Sequence, residues 1–217
     1  MLILLPPSEK KVQSQSGPAL DLDSLSFSKE LRKARTALLR EHRSILQQST
    51  DAAINVYAGV LFQALDWKTL DTKSQAFGKD RVLISSALFG LLWPLDSIPA
   101  YKLKMQPSIW KLPVSKALIP YEENLVIDCR SSSYAATWTP PKANTVLIKV
   151  FEERNGVKQV ITHMAKKTRG EVVRTLLLEN QDLRDPREIL EIFRKEYKCE
   201  LVEPTASKSW QLEIIAN

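Results

Sequence analysis

The chain is poor in the residues that most often carry chemistry unaided. Among 217 residues, only two are cysteine and two are histidine. Cys129 and Cys199 lie far apart and form no C-x-x-C pair, so neither a disulfide scaffold nor a zinc ribbon is expected. His42 and His163 stand alone, and no group of His, Cys and carboxylates has metal-ligand spacing. No resident metal and no cofactor are therefore expected. The G-x-S-x-G, H-E-x-x-H and P-loop patterns are missing, which removes three common catalytic signatures. No apolar run reaches the ~18–20 residues that cross a bilayer. Residues 1–5 are apolar but too few for a signal peptide, with no basic segment and no small-residue cleavage site. A cytoplasmic protein with reduced thiols and no membrane partner is the expectation. Internal repeats and low-complexity tracts are lacking too.

What is present is a globular composition, 44% hydrophobic and 26% charged. The length suits one domain over 1–217, since a single core serves ~200–250 residues. Residues 1–5 read as a short buried strand, stopped by Pro6-Pro7 because proline donates nothing to a ladder. Residues 13–23 read as a surface loop. Residues 28–48 read as a helix capped by Ser28, and 51–65 as a second helix capped by Asp51. A strand over 81–85 leads into a turn and short helix over 86–92, and 124–129 form another strand. Segments 144–151 and 157–162 flank Asn155-Gly156, a strong hairpin signal. Residues 165–180 form a helix, and Asp185-Pro186 with Glu188 start another. Residues 210–215 read as a final strand. The turn-rich stretch 94–120 is the one candidate internal boundary. Strands and helices mix without strict alternation. That predicts a mixed α/β fold (α+β), a compact single domain with a mixed twisted sheet surrounded by helices.

The net charge is +6, and the excess is uneven. Residues 97–121 carry Lys102, Lys104, Lys111 and Lys116 with no acid, interleaved with Tyr101, Trp110 and Tyr121. Residues 163–174 carry Lys166, Lys167, Arg169 and Arg174 against Glu171 alone, whereas 182–203 hold more acids than bases. A basic side facing away from an acidic side suits a phosphate-backbone partner. The basic helix 28–43 reads as a solvated face. Lys166, Lys167 and Arg169 read as functional, because they follow a strand and open a helix whose free N–H groups favour an anion.

Three motifs stand out. Ser8, Glu9 and Lys10 directly follow the first strand, where sheet folds commonly bind ligands. A solvated turn is the competing reading. The run Ser85–Asp96 contains Gly90 between apolar residues. It suits either a tight hairpin between helices that aims N–H groups at phosphate, or a packed corner. Asp128, Arg130 and Tyr134, with three serines between, leave a strand together. They suit a small anionic ligand or a structural ion pair equally.

These blocks resemble the bacterial YaaA family, associated with peroxide stress resistance. The resemblance rests on residues 2–10, on Tyr57-Ala58-Gly59-Val60-Leu61-Phe62, on the 86–105 run from Ser-Ala-Leu-Phe-Gly to Tyr-Lys-Leu-Lys-Met, on 128–134 and on 163–180. It implies a cytosolic single-domain mixed α/β protein of the hydrogen peroxide response that limits free iron and so Fenton damage. It also implies DNA binding through a basic cleft and a helix-hairpin-helix element over 86–95. Three departures stand out: Trp93 where the family usually has Arg, Ala87 where it often has Gly, and a shortened segment after Met105. Trp93 could instead stack on a base, worth ~1–3 kcal/mol.

The leading expectation is DNA binding, mainly by backbone contacts. Ser8, Lys10, Gly90, Trp93, Tyr101, Lys102, Lys104, Arg130, Lys166, Lys167, Arg169 and Arg174 are the candidate contacts. The rival is an enzyme acting on a small phosphate- or nucleobase-containing molecule, a nucleotide-like ligand, with Glu9, Asp128 or His163 as the acid–base group. The acids Glu9, Asp96 and Asp128 motivate that rival, since unpaired acids repel phosphate.

Overall fold

The computed structural model describes residues 1–154, 157–160 and 162–216, with the side chains of 154, 157, 160, 162 and 163 outside that description. The Asn155-Gly156 turn therefore lies outside the described residues, and of the His163 candidate only the backbone, in a helix, is described. In chain order the elements are β1 (Leu2–Leu5), α1 (Ser28–Glu41), β2 (Asp51–Ala52), α2 (Ala53–Val56), α3 (Val60–Leu65), α4 (Thr72–Gly78), β3 (Val82–Ser86), β4 (Gly90–Leu92), β5 (Ser97–Ile98) and α5 (Pro107–Leu118). There follow β6 (Val126–Asp128), α6 (Ser132–Ala135), β7 (Thr145–Arg154), β8 (Val157–Val160), α7 (Thr162–Glu179), α8 (Pro186–Phe193), β9 (Lys198–Val202) and β10 (Trp210–Ile215).

The main sheet runs β4-β3-β1-β6-β7-β10-β9, with β8 added to β7. Strands β3, β1, β6, β7 and β10 are mutually parallel, and β4, β8 and β9 pair antiparallel. This is the expected mixed α/β fold. The sequence of β1 explains its place. Leu2, Ile3, Leu4 and Leu5 are apolar on both faces and all buried, as a central parallel strand requires. Each such side chain contributes about 1.5–3 kcal/mol of burial. The chain lays β3 on one side of β1 and later β6 on the other, so the winding reverses there. The carboxyl ends of β1, β3 and β6 open at the same edge, which is where open sheets bind ligands. Toward β7 and β10 one face stays half-exposed. Val146, Ile148 and Val150 are buried, while Leu147, Lys149 and Phe151 alternate outward. On the covered side α7 packs against α3 so closely that a Cβ on Gly170 would stand 2.2 Å from the Leu61 carbonyl oxygen.

Three expectations need correction. Residues 51–65 are not one helix: α2 stops at Val56 and α3 begins at Val60, because Tyr57 and Ala58 bind the loop after β1. Residues 86–95 form no helix-hairpin-helix. Ser86 pairs with Gly90 in an antiparallel strand hairpin, buried throughout, with Gly90 at φ +75°. Buried Arg35 on α1 secures that hairpin by donating to the Phe89 and Leu91 carbonyls at 2.9 Å each. The 94–120 stretch supplies α5, which buries Trp110 and Val114 in the common core. Finally, α7 begins at Thr162, so Lys166 and Lys167 lie beyond the first turn rather than at its free N–H groups. Pro107 and the internal Pro113 hid α5 from the apolar pattern of Trp110, Val114, Ala117 and Leu118.

Candidate functional site

The loop leaving β1 folds back at once. The Ser8 hydroxyl donates to the Lys10 carbonyl and accepts the Ala58 N–H at 3.1 Å. The Lys10 carbonyl accepts the same Ala58 N–H at 3.0 Å, and the Val12 N–H reaches the Val56 carbonyl at 2.9 Å. Lys11 and Tyr57 therefore face each other across an isolated antiparallel bridge. Gly59 permits this closeness, because a Cβ there would stand 2.7 Å from the Ser8 Cβ.

The Lys11 ammonium donates to the Ser8 carbonyl at 2.8 Å. It lies 4.4 Å from the ring centre of Tyr101 and 5.5 Å from that of Tyr57. Beneath it runs a hydroxyl network. The Tyr57 and Tyr101 hydroxyls are 2.9 Å apart, Tyr101 meets the Ser86 hydroxyl at 2.7 Å, and the Phe89 N–H donates to Ser86 at 2.9 Å. Burial pushes the Tyr57 hydroxyl well above its ordinary pKa, with the neighbouring Tyr101 adding to it. Burial raises Tyr101 as well, and takes Tyr134 up to about 12 with help from Tyr101 and Glu9. Lys11 moves the other way. Burial lowers it to about 8 against the opposing pull of Glu9, and it makes no ion pair among the described residues. Near neutral pH the site thus combines phenols that keep their protons with an amine that readily sheds one.

A second feature opens beside β6. Arg130 donates through Nε to Asp128 Oδ1 at 3.0 Å and through Nη2 to Oδ2 at 2.8 Å, while its Nη2 also reaches the Trp138 carbonyl at 2.9 Å. Both side chains are buried. They border a cavity of about 450 Å³ on the half-exposed sheet face, lined also by Trp138, Lys142, Lys149 and Lys208.

The other sequence candidates fall into two groups. Glu9, Lys10, Lys102 and Lys104 are exposed close in the chain to Lys11 and Tyr101, and Lys166 and Lys167 are exposed on α7, where Lys167 meets Glu171 at 3.3 Å. The remainder serve the fold. Arg174 donates to the Leu65 and Asp66 carbonyls at 3.0 and 2.9 Å, and Arg169 to Ile148 at 3.3 Å. Asp96 accepts from the Ser26 N–H and hydroxyl and from the Trp93 N–H. Trp93 is half-buried, 5.5 Å from the Phe27 ring and 6.1 Å from that of Tyr121. Lys11, Tyr57 and Ser86 were not legible as candidates. The one signal was the doubled lysine after β1, and only the structure tells which of the pair turns inward. Cys129 is buried, and burial pushes its thiol up to about 12, so it lacks the thiolate that reacts with peroxide. Among the described residues no three His, Cys, Asp or Glu side chains group as metal ligands, and no helix is long and apolar enough to cross a membrane.

Comparison with known sequences gives the lineage. A family profile described as peroxide stress protein YaaA matches residues 21–201. A UPF0246 protein of Streptomyces coelicolor is 29% identical, covering 100% of this chain and 99% of its own length. A UPF0246 protein of Corynebacterium glutamicum is 32% identical over 88% of this chain and 91% of its own. An uncharacterized protein of Campylobacter jejuni is 36% identical over 66% of this chain and 59% of its own. With the profile spanning most of the chain, the protein belongs to the YaaA family of peroxide stress proteins.

Proposed function

We propose that this peroxide stress protein binds DNA through phosphate contacts at the carboxyl end of its sheet, and thereby helps to limit free iron and oxidative DNA damage. One observation carries the reading. Lys10 and Lys102 are exposed next in the chain to Lys11 and Tyr101, whose side chains touch, Lys104 is exposed two residues on, and none of the three makes an ion pair among the described residues. Lysines free of carboxylates keep their charge for a polyanion. Exposed Lys166 extends the set, while Lys167 beside it meets Glu171. Arg130, Arg169 and Arg174 leave it, since their donors serve Asp128 and backbone carbonyls. Gly90 and Trp93 leave it as well, being built into the hairpin and the aromatic cluster.

Each phosphate contact releases counterions, so log affinity falls against log salt by ~0.9 per contact. Fluorescence anisotropy with a labelled duplex across a salt series checks this. Joint Lys10→Ala, Lys102→Ala and Lys104→Ala substitution should weaken binding and flatten the slope by up to ~3. A slope equal to that of the wild type would sink the reading. The iron link is tested in cells carrying the triple variant, whose peroxide survival and chelatable iron should match those of cells lacking the protein.

A second reading, an enzyme for a small phosphate- or nucleobase-containing molecule, is favoured by the 450 Å³ cavity at Asp128 and Arg130. Its size lies in the ~300–1,000 Å³ range of ligand sites. Lys142, Lys149 and Lys208 give it the charge for an anion.

A further inference from the structure

We propose that Lys11 is a reactive amine that forms an imine with a small aldehyde or ketone bearing an anionic group. The geometry carries this independently of DNA binding and of the cavity beside Asp128. Lys11 is the cation turned inward at the carboxyl end of β1, held by one hydrogen bond to the Ser8 carbonyl and walled by the Tyr57 and Tyr101 rings. A lysine kept for structure would ordinarily meet a carboxylate, and this one meets none among the described residues. Its neighbours are chemically matched to the task. The titratable groups acting on this cluster are Glu9, Tyr57, Tyr101 and Tyr134. Glu9 is exposed, two residues before Lys11 in the chain. The buried phenols remain protonated, their hydroxyls bonded to each other and to Ser86, so the rings wall Lys11 without adding a charge. Lys10 and Lys102, exposed beside Lys11 and Tyr101 in the chain, supply positive charge for the anionic group.

The step balances without an oxidant or reductant. The Lys11 nitrogen lone pair bonds to the carbonyl carbon as the C=O π pair moves to oxygen. A proton passes from nitrogen to that oxygen, giving a carbinolamine. The hydroxyl then leaves as water, taking up a proton from solvent, while nitrogen loses its remaining proton to solvent and closes the C=N bond. The desolvated site supplies the free base, and desolvation is an established route to an activated lysine nucleophile.

The test uses the intact wild-type protein with pyridoxal 5′-phosphate at pH 7.5, trapped by borohydride and mapped by peptide mass. At substoichiometric reagent the adduct should fall on Lys11, at least tenfold ahead of any other lysine. A pKa of about 8 rather than 10.5 raises the unprotonated fraction by roughly 10² at this pH. Pyridoxal, which lacks the phosphate, should label Lys11 more slowly. Lys11→Arg should lose the adduct while keeping the melting temperature within a few degrees. Should Lys11→Arg fail to fold, the wild-type map still decides. Adducts spread over exposed Lys10, Lys102 and Lys104 with Lys11 spared would overturn the proposal. Equal labelling by pyridoxal would overturn its anionic part.

Discussion

Lys11 sits where two effects oppose each other. The tyrosine faces favour the ammonium, an attraction of about 0.5–2 kcal/mol in other settings. Burial disfavours it, lowering the value to about 8 against the opposing pull of Glu9. The sign of the pH dependence follows. The unfolded lysine titrates near 10.5 and the folded one near 8, so between these values the unfolded chain binds more protons and stability rises with pH. Below pH 8 that contribution is absent. Lys11→Met removes it at every pH. Urea midpoints of wild type and Lys11→Met should therefore diverge between pH 8 and 10.5, with the wild type gaining on the variant as pH rises. All other lysines titrate in both proteins and cancel. Parallel midpoint curves across that window would mean that Lys11 titrates as an ordinary surface lysine.

At the scale of elements, the close approach of α3 and α7 is the tightest constraint near the site. Arg174 and Gly170, one turn apart on α7, hold α3 from both sides: the first by hydrogen bonds to Leu65 and Asp66, the second by having no side chain. A Cβ at Gly170 meets backbone and the Ala64 Cβ at 2.8 Å, and neither can swing aside. Gly170→Val should cost at least ~1–3 kcal/mol by overpacking, read as a lower urea midpoint with unchanged slope. A neutral result would mean that the helices separate freely. Elements whose causes are local were legible in the sequence. Pro6-Pro7 ends β1, the pair Arg154↔Val157 brackets the expected hairpin, and Asp185 with Glu188 forms the capping box of α8. Elements held from a distance were not. β4 depends on Arg35, more than fifty residues away, and the break at Tyr57 depends on Lys10 and Val12 across the bridge. The candidate site shared that fate. Its exposed lysines were legible as a charge excess. Its inward lysine, tyrosine pair and Ser86 come from four separate segments that meet only when β1, β3 and the 57–59 break are assembled.

For the whole molecule, the question is whether one core or two holds the chain. The buried apolar residues form a single cluster from Met1 through Ile214, crossing the 94–120 stretch at Ile98, Trp110, Val114 and Leu118. The sheet reinforces this. In the sheet the first half supplies β4-β3-β1 and the second β6-β7-β10-β9, and the two are hydrogen-bonded together where β1 pairs with β6. Halves that share one apolar cluster and one sheet lose them together, which makes a cooperative transition the expected outcome over ~200 residues despite the length. The tryptophans offer the measurement. Trp67 and Trp110 report on the first half, and Trp138 and Trp210 on the second, each with little exposure. Urea unfolding followed by fluorescence of variants retaining one pair or the other should coincide with far-UV circular dichroism in midpoint and slope. Separate midpoints for the two pairs would divide the chain near α5. They would also place the Lys11 cluster, built from β1, β3 and the 97–101 loop, in a unit of its own.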